Sequence, residues 1–248
     1  MQMNNVFINI IFYTFLASIA SLFFVAIFLL HEKAIRKLSF YLVSFAAGAL
    51  LSAGFTDTMP EAVDKNVNSF IYVTLFIALF FLIERIFLDI HHHERDEKQL
   101  RLPLSFLLFG DALHNFIDGI SIAATFLISF PLGIITAVAV FVHEIPHELG
   151  DFGILLHLGY SRGKVLGFNI LTGITALIGA SLGYLLGKQI DGSLSILLSL
   201  TTGNFIYLSL SDLLPEIHEK AKGKSTYIHL AFFLFGVGFI LILEQFLK

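Results

Sequence analysis

Residues 104–158 read LSFLLFGDALHNFIDGISIAATFLISFPLGIITAVAVFVHEIPHELGDFGILLHL, an almost continuous apolar run with one break, at Ser129-Phe130-Pro131. Proline is favoured in the first turn of a helix, so the break predicts that one apolar helix ends and another begins there. Each half is longer than the roughly 20 residues that a helix needs to cross a bilayer. The run therefore predicts two consecutive transmembrane helices of opposite direction.

The rest of the chain has the same character. Of its 248 residues, 56% are hydrophobic and only 14% are charged, which excludes a disordered chain and a soluble globular protein. The connections between the apolar segments are short, so we expect an all-α, polytopic membrane protein with a single transmembrane domain over residues 1–248. Its eight segments are Val6 to Leu30, Leu38 to Thr58, Ser69 to Ile90, Leu104 to Phe130, Pro131 to Leu158, Val165 to Gly187, Leu194 to Leu214 and Thr226 to Leu247.

The amino-acid composition also limits the chemistry. The chain has no cysteine, which excludes disulfides, thiolate nucleophiles and sulfur ligands. Any metal ion must therefore be bound by imidazole, carboxylate, amide or water. The net charge of −4 gives no basis for nucleic-acid binding, and the lipid bilayer is the expected environment.

Basic residues are unevenly distributed between the two sides of the membrane. All but Lys65, Lys188 and Lys248 of the 15 Lys and Arg residues fall in or beside the connections after segments one, three, five and seven. Because Lys and Arg are enriched in cytoplasmic loops, these connections are predicted to be cytoplasmic. Both termini are then extracytoplasmic, in a plasma or cytoplasmic membrane.

Ionisable side chains occur inside segments four and five, where burial in lipid is costly and marks each as a candidate for function. In each segment they recur at helical spacing, so they fall on one stripe near its midpoint. Adjacent antiparallel helices with imidazole and carboxylate groups at one depth can enclose a divalent cation. The residues are Asp111, His114, Asn115 and Asp118 in segment four, and His143, Glu144, His147, Glu148 and Asp151 in segment five.

The most direct interpretation is a metal site between the two segments. Burying several carboxylates without a cation would force some to take up protons or repel each other, whereas a bound dication offsets that cost. A network of hydrogen bonds between helices is the alternative explanation. The expected first shell is His114, Asp118, His143, Glu144 and His147, with the amide oxygen of Asn115 beside them.

The fifth segment also admits an enzymatic interpretation. His143-Glu144-Ile145-Pro146-His147 satisfies H-E-x-x-H, in which two histidines bind zinc and the glutamate activates water, so an intramembrane zinc metalloprotease is the alternative function. Pro146 counts against it, because proline removes the hydrogen bond to the carbonyl of Val142 and bends the helix. A membrane protein with a structural metal would need a closed shell, and the surplus of acids disfavours it.

Two motifs, His114-Asn115-Phe116-Ile117-Asp118-Gly119 and His143-Glu144-Ile145-Pro146-His147-Glu148, are similar to those of the ZIP (Zrt/Irt-like) family of metal-ion transporters. The second motif resembles the subfamily with a His-Glu-x-Pro-His-Glu fifth helix. The resemblance implies a single transporter domain that moves zinc, or iron, manganese or cadmium, into the cytosol. The ion is then cargo, no resident cofactor and no enzymatic activity are expected, and a homodimer is left open.

The resemblance also implies a site and one departure from the family pattern. Some bacterial relatives add a Glu from the sixth helix to form a second, adjacent metal site, where this chain has Ala176. A two-metal site is therefore in question, with Asp151 or water as a substitute ligand. A histidine-containing cytoplasmic loop, matched by His91-His92-His93, is a candidate for weak binding of exiting metal. The implied ligands are His114, Asn115, Asp118, His143, Glu144, His147 and Glu148.

An Asp-x-x-Pro-Glu pattern occurs twice, as Asp57-Thr58-Met59-Pro60-Glu61 at the end of segment two and Asp212-Leu213-Leu214-Pro215-Glu216 at the end of segment seven. Its opposite orientation in the two segments is what an inverted repeat of helices 1 to 3 and 6 to 8 around helices 4 and 5 would produce. Each motif then lies at one mouth of a pathway. We expect Asp57 and Glu61 to collect cations outside, Asp111 and Asp151 to act as intermediate steps, and Asp212, Glu216 and His218 to receive cations inside.

Overall fold

The computed structural model describes residues 3–23, 32–93, 104–190, 192–223 and 225–247, and these ranges contain helices and no strand. Eight helices in this part of the chain are long and apolar enough to cross a membrane. The prediction of an all-α polytopic protein with eight transmembrane helices is therefore confirmed. The spans are α1 (Asn5–Phe23), α2 (Ser39–Lys65), α3 (Ser69–Ile86), α4 (Leu104–Ile128), α5 (Phe130–His157), α6 (Arg162–Gln189), α7 (Ser193–Glu219) and α8 (Ser225–Leu247).

The junction between α4 and α5 is a single residue. Ser129 has an extended backbone (φ −158°, ψ 155°) between the end of α4 at Ile128 and the start of α5 at Phe130. Its hydroxyl accepts a hydrogen bond from the backbone N–H of Leu132 (3.3 Å), which caps the new helix. Pro131 lies in the first turn, as the sequence predicts, because its missing N–H has no helical partner there.

Helices α2 and α7 continue past their Asp-x-x-Pro-Glu motifs, so the predicted ends of segments two and seven are wrong. Each motif overlaps a π-helical segment, Ala53–Thr58 in α2 and Leu208–Leu213 in α7, and a short α-helix follows, Met59–Lys65 or Leu214–Lys220. The wider π-helical turn accommodates a proline that cannot donate a hydrogen bond, and the helix continues for about two more turns. The same local structure in both helices supports the inverted repeat.

The backbone helix of α3 extends beyond its apolar span, from Ser69 to His93. His91, His92 and His93 are therefore at the end of a helix and not in a loop, as the sequence analysis had placed them. Their side chains, and the connection that follows them, lie outside the described residues.

The most extensive helix contacts are those of α4 with α6, α2 with α8, α2 with α7 and α3 with α7, and α5 contacts both α2 and α4. We call α1, α4, α5 and α6 the first helix group and α2, α3, α7 and α8 the second helix group. In the first, the backbones of α4 and α6 touch, because a Cβ on Gly119 would collide with the carbonyl oxygen of Ala176 and one on Gly179 with that of Phe116. Ala176 itself is fully buried. At this position α6 presents a methyl group and no carboxylate.

The two groups meet along α5 and α7, which are the most enclosed spans, whereas α3 and α8 are the most exposed. Apolar side chains such as Leu75, Leu234 and Phe235 are on the outer surface, as expected of helices that face lipid. The polar stripes of α4 and α5 are therefore at the centre of the bundle.

Candidate metal centre

Four side chains from α4 and α5 converge near the middle of both helices. His114, Asp118, His143 and Glu144 each offer one ligand atom, and the four atoms lie within 4.8 Å of one another. The Nε2 atoms of His114 and His143 are 3.1 Å apart. Asp118 Oδ2 is 3.0 Å from Nε2 of His143 and 3.5 Å from that of His114, and Glu144 Oε1 is 3.6 Å and 3.3 Å from the same two atoms. We call these residues the four-ligand centre.

The spacing of these atoms matches tetrahedral coordination. For metal–ligand bonds of about 2.0–2.1 Å, the edges of a regular tetrahedron are about 3.3–3.4 Å long. The five measured edges range from 3.0 to 3.6 Å and bracket that value. Two imidazoles and two carboxylates, with no sulfur, are a ligand set that suits Zn²⁺ and also admits Fe²⁺ or Mn²⁺.

A hydrogen bond orients the His143 ring toward the centre. Its Nδ1 lies 3.1 Å from the carbonyl oxygen of Ala139, one turn earlier in α5. A carbonyl oxygen only accepts, so Nδ1 donates in this contact and Nε2 faces Asp118 and His114. This is the arrangement by which proteins commonly prepare a histidine for a metal.

The carboxylates of the centre are deeply buried. Asp118 and Glu144 are fully inaccessible to solvent. Asp118 Oδ2 and both oxygens of Glu144 have no hydrogen-bond donor among the described residues. Buried oxygen atoms are rarely left without a partner, and lone pairs that converge on one point repel each other. A cation at that point would satisfy all four ligand atoms.

His147, which the sequence analysis placed in the first shell, belongs to a different cluster. Asp111, His147 and Asp151 form a second group whose ligand atoms lie within 4.8 Å of one another. His147 Nδ1 has no hydrogen-bond partner in the described chain. Its ring stacks on that of His114, with centroids 4.5 Å apart. The second group is thus next to the four-ligand centre, one helical turn toward the start of α4 and the end of α5.

Asn115 and Glu148, the two remaining predicted ligands, are in neither cluster. The Asn115 amide donates to Asp111 Oδ1 (2.9 Å), and Glu148 Oε2 accepts from the amide of Asn169 in α6 (2.6 Å). Each keeps one buried oxygen without a partner among the described residues, Asn115 Oδ1 and Glu148 Oε1. Asn115 thus holds Asp111, and Asn169 holds Glu148.

The H-E-x-x-H interpretation is not favoured by this geometry. A zinc protease needs both histidines on one zinc ion and the glutamate free to activate water. Here His143 and His147 fall in separate clusters, and Glu144 is itself one of the four converging ligands. Pro146 lies inside a helix that runs without interruption from Phe130 to His157.

One cavity reaches the site, and a second lies at the far ends of α4 and α5. The large cavity, of about 410 Å³, lies between α3, α4, α5 and α7, and none of its described lining residues is Lys or Arg. The small cavity, of about 310 Å³, lies at the junction of α4 and α5 and is lined by Asp57 and Glu61. The large cavity reaches the metal clusters through Asp111, His114, His147 and Asp151.

The two predicted pathway mouths therefore differ. Asp57 and Glu61 share the small cavity, as the repeated motif suggests, and Asp57 is almost fully buried. At the other end, the last turns of α7 carry Asp212, Glu216 and His218, which line neither the large nor the small cavity. Asp212 and His218 are exposed.

Three residues near the site escaped the sequence analysis. Asn204 in α7 donates a hydrogen bond to Asp118 Oδ1 (3.1 Å), and Asn169 holds Glu148. Glu84 in α3 lines the large cavity and accepts a short hydrogen bond from the hydroxyl of Tyr207. An asparagine inside an apolar span was the available signal, because an unpaired amide is costly there.

Comparisons with known proteins agree with this chemistry. A family model described as ZIP zinc transporter matches residues 89–244, which include α4 to α8. Zinc transporter ZIP13 of Pongo abelii is 30% identical over 72% of this chain and 58% of its own length. Zinc transporter foi of Drosophila melanogaster is 38% identical over 55% of this chain and 19% of its own, and zinc transporter ZIP4 of Homo sapiens is 39% identical over 57% and 21%. The matched region thus spans from 19% to 58% of these relatives.

Proposed function

Because the chain belongs to the ZIP zinc transporter family, we propose that it is a divalent metal-ion transporter, that its cargo is zinc, and that its transport domain is residues 1–248. The three relatives described above are named as zinc transporters, which supports zinc as the cargo. Iron, manganese and cadmium are the competing ions, because imidazole and carboxylate ligands also bind them.

One observation carries the proposal: the convergence of His114, Asp118, His143 and Glu144 at tetrahedral spacing in the centre of the bundle. A transporter must bind its ion well enough to replace the hydration shell and weakly enough to release it. Imidazole and carboxylate ligands meet both requirements. The chain has no cysteine, so it lacks the thiolates that bind zinc tightly in many structural sites.

The large cavity provides the route from this centre. His114 lines both the centre and the cavity, and Asp111, His147 and Asp151 are the next ligands along the wall. The basic residues of the connection after α5 support a cytoplasmic location for this end of the bundle, by the positive-inside rule. A zinc ion that leaves the four-ligand centre would therefore pass the second group on its way into the cytosol.

The small cavity is the corresponding entry. Asp57 and Glu61 would collect cations on the extracytoplasmic side, and Asp212, Glu216 and His218 at the end of α7 would receive them on the cytoplasmic side. The large cavity is lined by His114 and by the whole second group, whereas the small cavity is lined by no member of either cluster, which supports an inward-facing arrangement. Asn115 and Glu148 supply further oxygen ligands if the ion moves from one cluster to the other.

The test is zinc flux into proteoliposomes that contain a fluorescent zinc indicator. We expect His143→Ala and Asp118→Ala to abolish flux, because each removes one of four ligands, while His157→Ala leaves it unchanged. His157 is a matched control, since it is on α5 but belongs to neither cluster. Competition with iron, manganese and cadmium identifies the preferred ion. Zinc flux at the wild-type rate in both ligand variants would contradict the assignment of the site.

A further inference from the structure

A hydrogen bond between α4 and α7 reaches the metal centre from the second helix group. Asn204 Nδ2 donates to Oδ1 of Asp118 at 3.1 Å, and the two residues are 86 positions apart in the chain. Asp118 is fully buried and Asn204 is 4% exposed, so water cannot replace the bond without a rearrangement. Because an ionised carboxylate only accepts, the amide nitrogen and not its oxygen must face Asp118.

The two carboxylate oxygens of Asp118 have different surroundings because of this bond. Oδ1 is occupied by the amide of Asn204, while Oδ2 lies 3.0 Å from Nε2 of His143 and has no donor in the described chain. A carboxylate held at one oxygen cannot rotate about its terminal bond without breaking that contact. Asp118 therefore presents one preset oxygen to the centre, as a single-oxygen ligand.

The bond is also placed differently from the other hydrogen bonds between helices. Thr58 with Thr202 (2.8 Å) and Ser44 with His229 (2.7 Å) join members of the second helix group, and Glu148 with Asn169 joins members of the first. The bond from Asn204 to Asp118 connects one group to the other, at a metal ligand. It depends on how the two helix groups are placed relative to each other.

We propose that Asn204 is a positioning residue for metal binding: α7 completes the four-ligand centre by fixing the orientation of Asp118 in this arrangement of the helices. The proposal rests on the proposed function, since it assumes that a divalent cation binds at the centre. Outer partners of metal ligands typically contribute 10–100-fold to metal affinity. A relative movement of α4 and α7 that separates the two residues would remove this contribution and weaken the site, with no change in the four ligands themselves.

The competing explanation is that Asn204 is only a polar contact that holds two helices together. Thr202 is a matched control for it, because Thr202 is on the same helix, is fully buried and makes an interhelical hydrogen bond to Thr58, away from the metal clusters. Thr202→Val keeps the shape of the side chain and deletes that bond. Asn204→Leu does the same at the site, and Asn204→Ala removes the amide without adding bulk.

The experiment measures equilibrium Zn²⁺ affinity in detergent by competition with a chromophoric chelator, together with the visible absorption of bound Co²⁺, which reports the coordination geometry. We expect Asn204→Leu and Asn204→Ala to weaken Zn²⁺ binding about 10–100-fold and to alter the Co²⁺ spectrum. Thr202→Val should stay within about twofold of wild type with an unchanged spectrum, although it loses a comparable helix contact.

The outcomes separate this proposal from the proposed function. Affinity and spectrum that are unchanged in both Asn204 variants would overturn the positioning role, as would an equal loss of affinity in Thr202→Val. His143→Ala is included as a ligand variant. If it binds Zn²⁺ as tightly as wild type does, the metal centre itself is wrong, whereas a loss in His143→Ala without a loss in the Asn204 variants leaves the proposed function intact.

Discussion

Replacing Glu144 by glutamine should stabilise the metal-free protein and abolish its stabilisation by zinc. Glu144 Oε1 and Asp118 Oδ2 lie within 4.8 Å of each other in a fully buried site. Two unit charges at that distance repel by about 3.5 kcal/mol at an effective dielectric constant of ~20. Glutamine is neutral and nearly isosteric with glutamate, so the substitution removes this repulsion, and we expect Glu144→Gln to stabilise the metal-free protein by about 1 to 3 kcal/mol.

The assay is thermal unfolding of purified protein in detergent, with excess chelator and with excess zinc. For a chain of this size, 1 kcal/mol corresponds to about 2–4 °C, so the metal-free variant should melt about 2 to 12 °C above wild type. Zinc at 100 times its dissociation constant adds about 2.7 kcal/mol to the wild type, and it should add little to a variant that has lost one ligand. The difference between the two melting temperatures should therefore become smaller or change sign when zinc is added.

The refuting result is specific. A Glu144→Gln variant that melts below wild type in chelator would mean that Glu144 is held by favourable contacts, and not by repulsion that a cation relieves. Equal zinc stabilisation of both proteins would mean that Glu144 is not a ligand. His157→Gln is a control for general effects of substitution, because His157 is an exposed residue at the end of the same helix.

Two further predictions test the separation of the clusters and the packing of α4. Asp151→Asn should slow zinc flux into proteoliposomes but leave equilibrium zinc affinity at the four-ligand centre within about threefold of wild type. The reason is that Asp151 belongs to the second group. A loss of affinity as large as that of His143→Ala would mean that the two clusters act as one site. Gly119→Ala should destabilise the protein by about 1–3 kcal/mol in thermal unfolding, because the new Cβ would meet the carbonyl oxygen of Ala176. The matched control is Gly167→Ala in α6, where the space beside the Cα is open and a small gain in stability is expected. A Gly119→Ala variant as stable as that control would contradict the close contact of α4 and α6.

The structure brings together polar side chains that the sequence placed on α4 and α5, and it divides them into two clusters. Residues at helical spacing must share a face, so α4 and α5 could be identified as the helices that carry the polar residues. Spacing could not show that His147 would lie apart from His143, although the two are one turn apart on the same stripe. That separation depends on which residues of α4 are opposite each turn of α5, and the ring of His114 lies between the two clusters.

Helix ends were the least accurate part of the fold prediction. Proline signalled where α5 begins, because Pro131 lies in its first turn. The same residue type was misleading at Pro60 and Pro215, where a π-helical turn lets the helix continue. Whether proline ends a helix depends on how the preceding turn accommodates its missing N–H, and neighbouring helices influence that choice.

Composition and periodicity were sufficient to predict a bundle of membrane-spanning helices with ionisable side chains inside two of them, because the cost of burying backbone and charge in lipid acts on each segment independently of the others. Contacts between distant parts of the chain were decided by the tertiary structure alone. The amide of Asn204 on Asp118, the amide of Asn169 on Glu148 and the hydroxyl of Tyr207 on Glu84 each join helices that are far apart in sequence. Such pairs form when packing brings two faces within hydrogen-bond distance, and local sequence does not encode the rotation and offset of one helix against another.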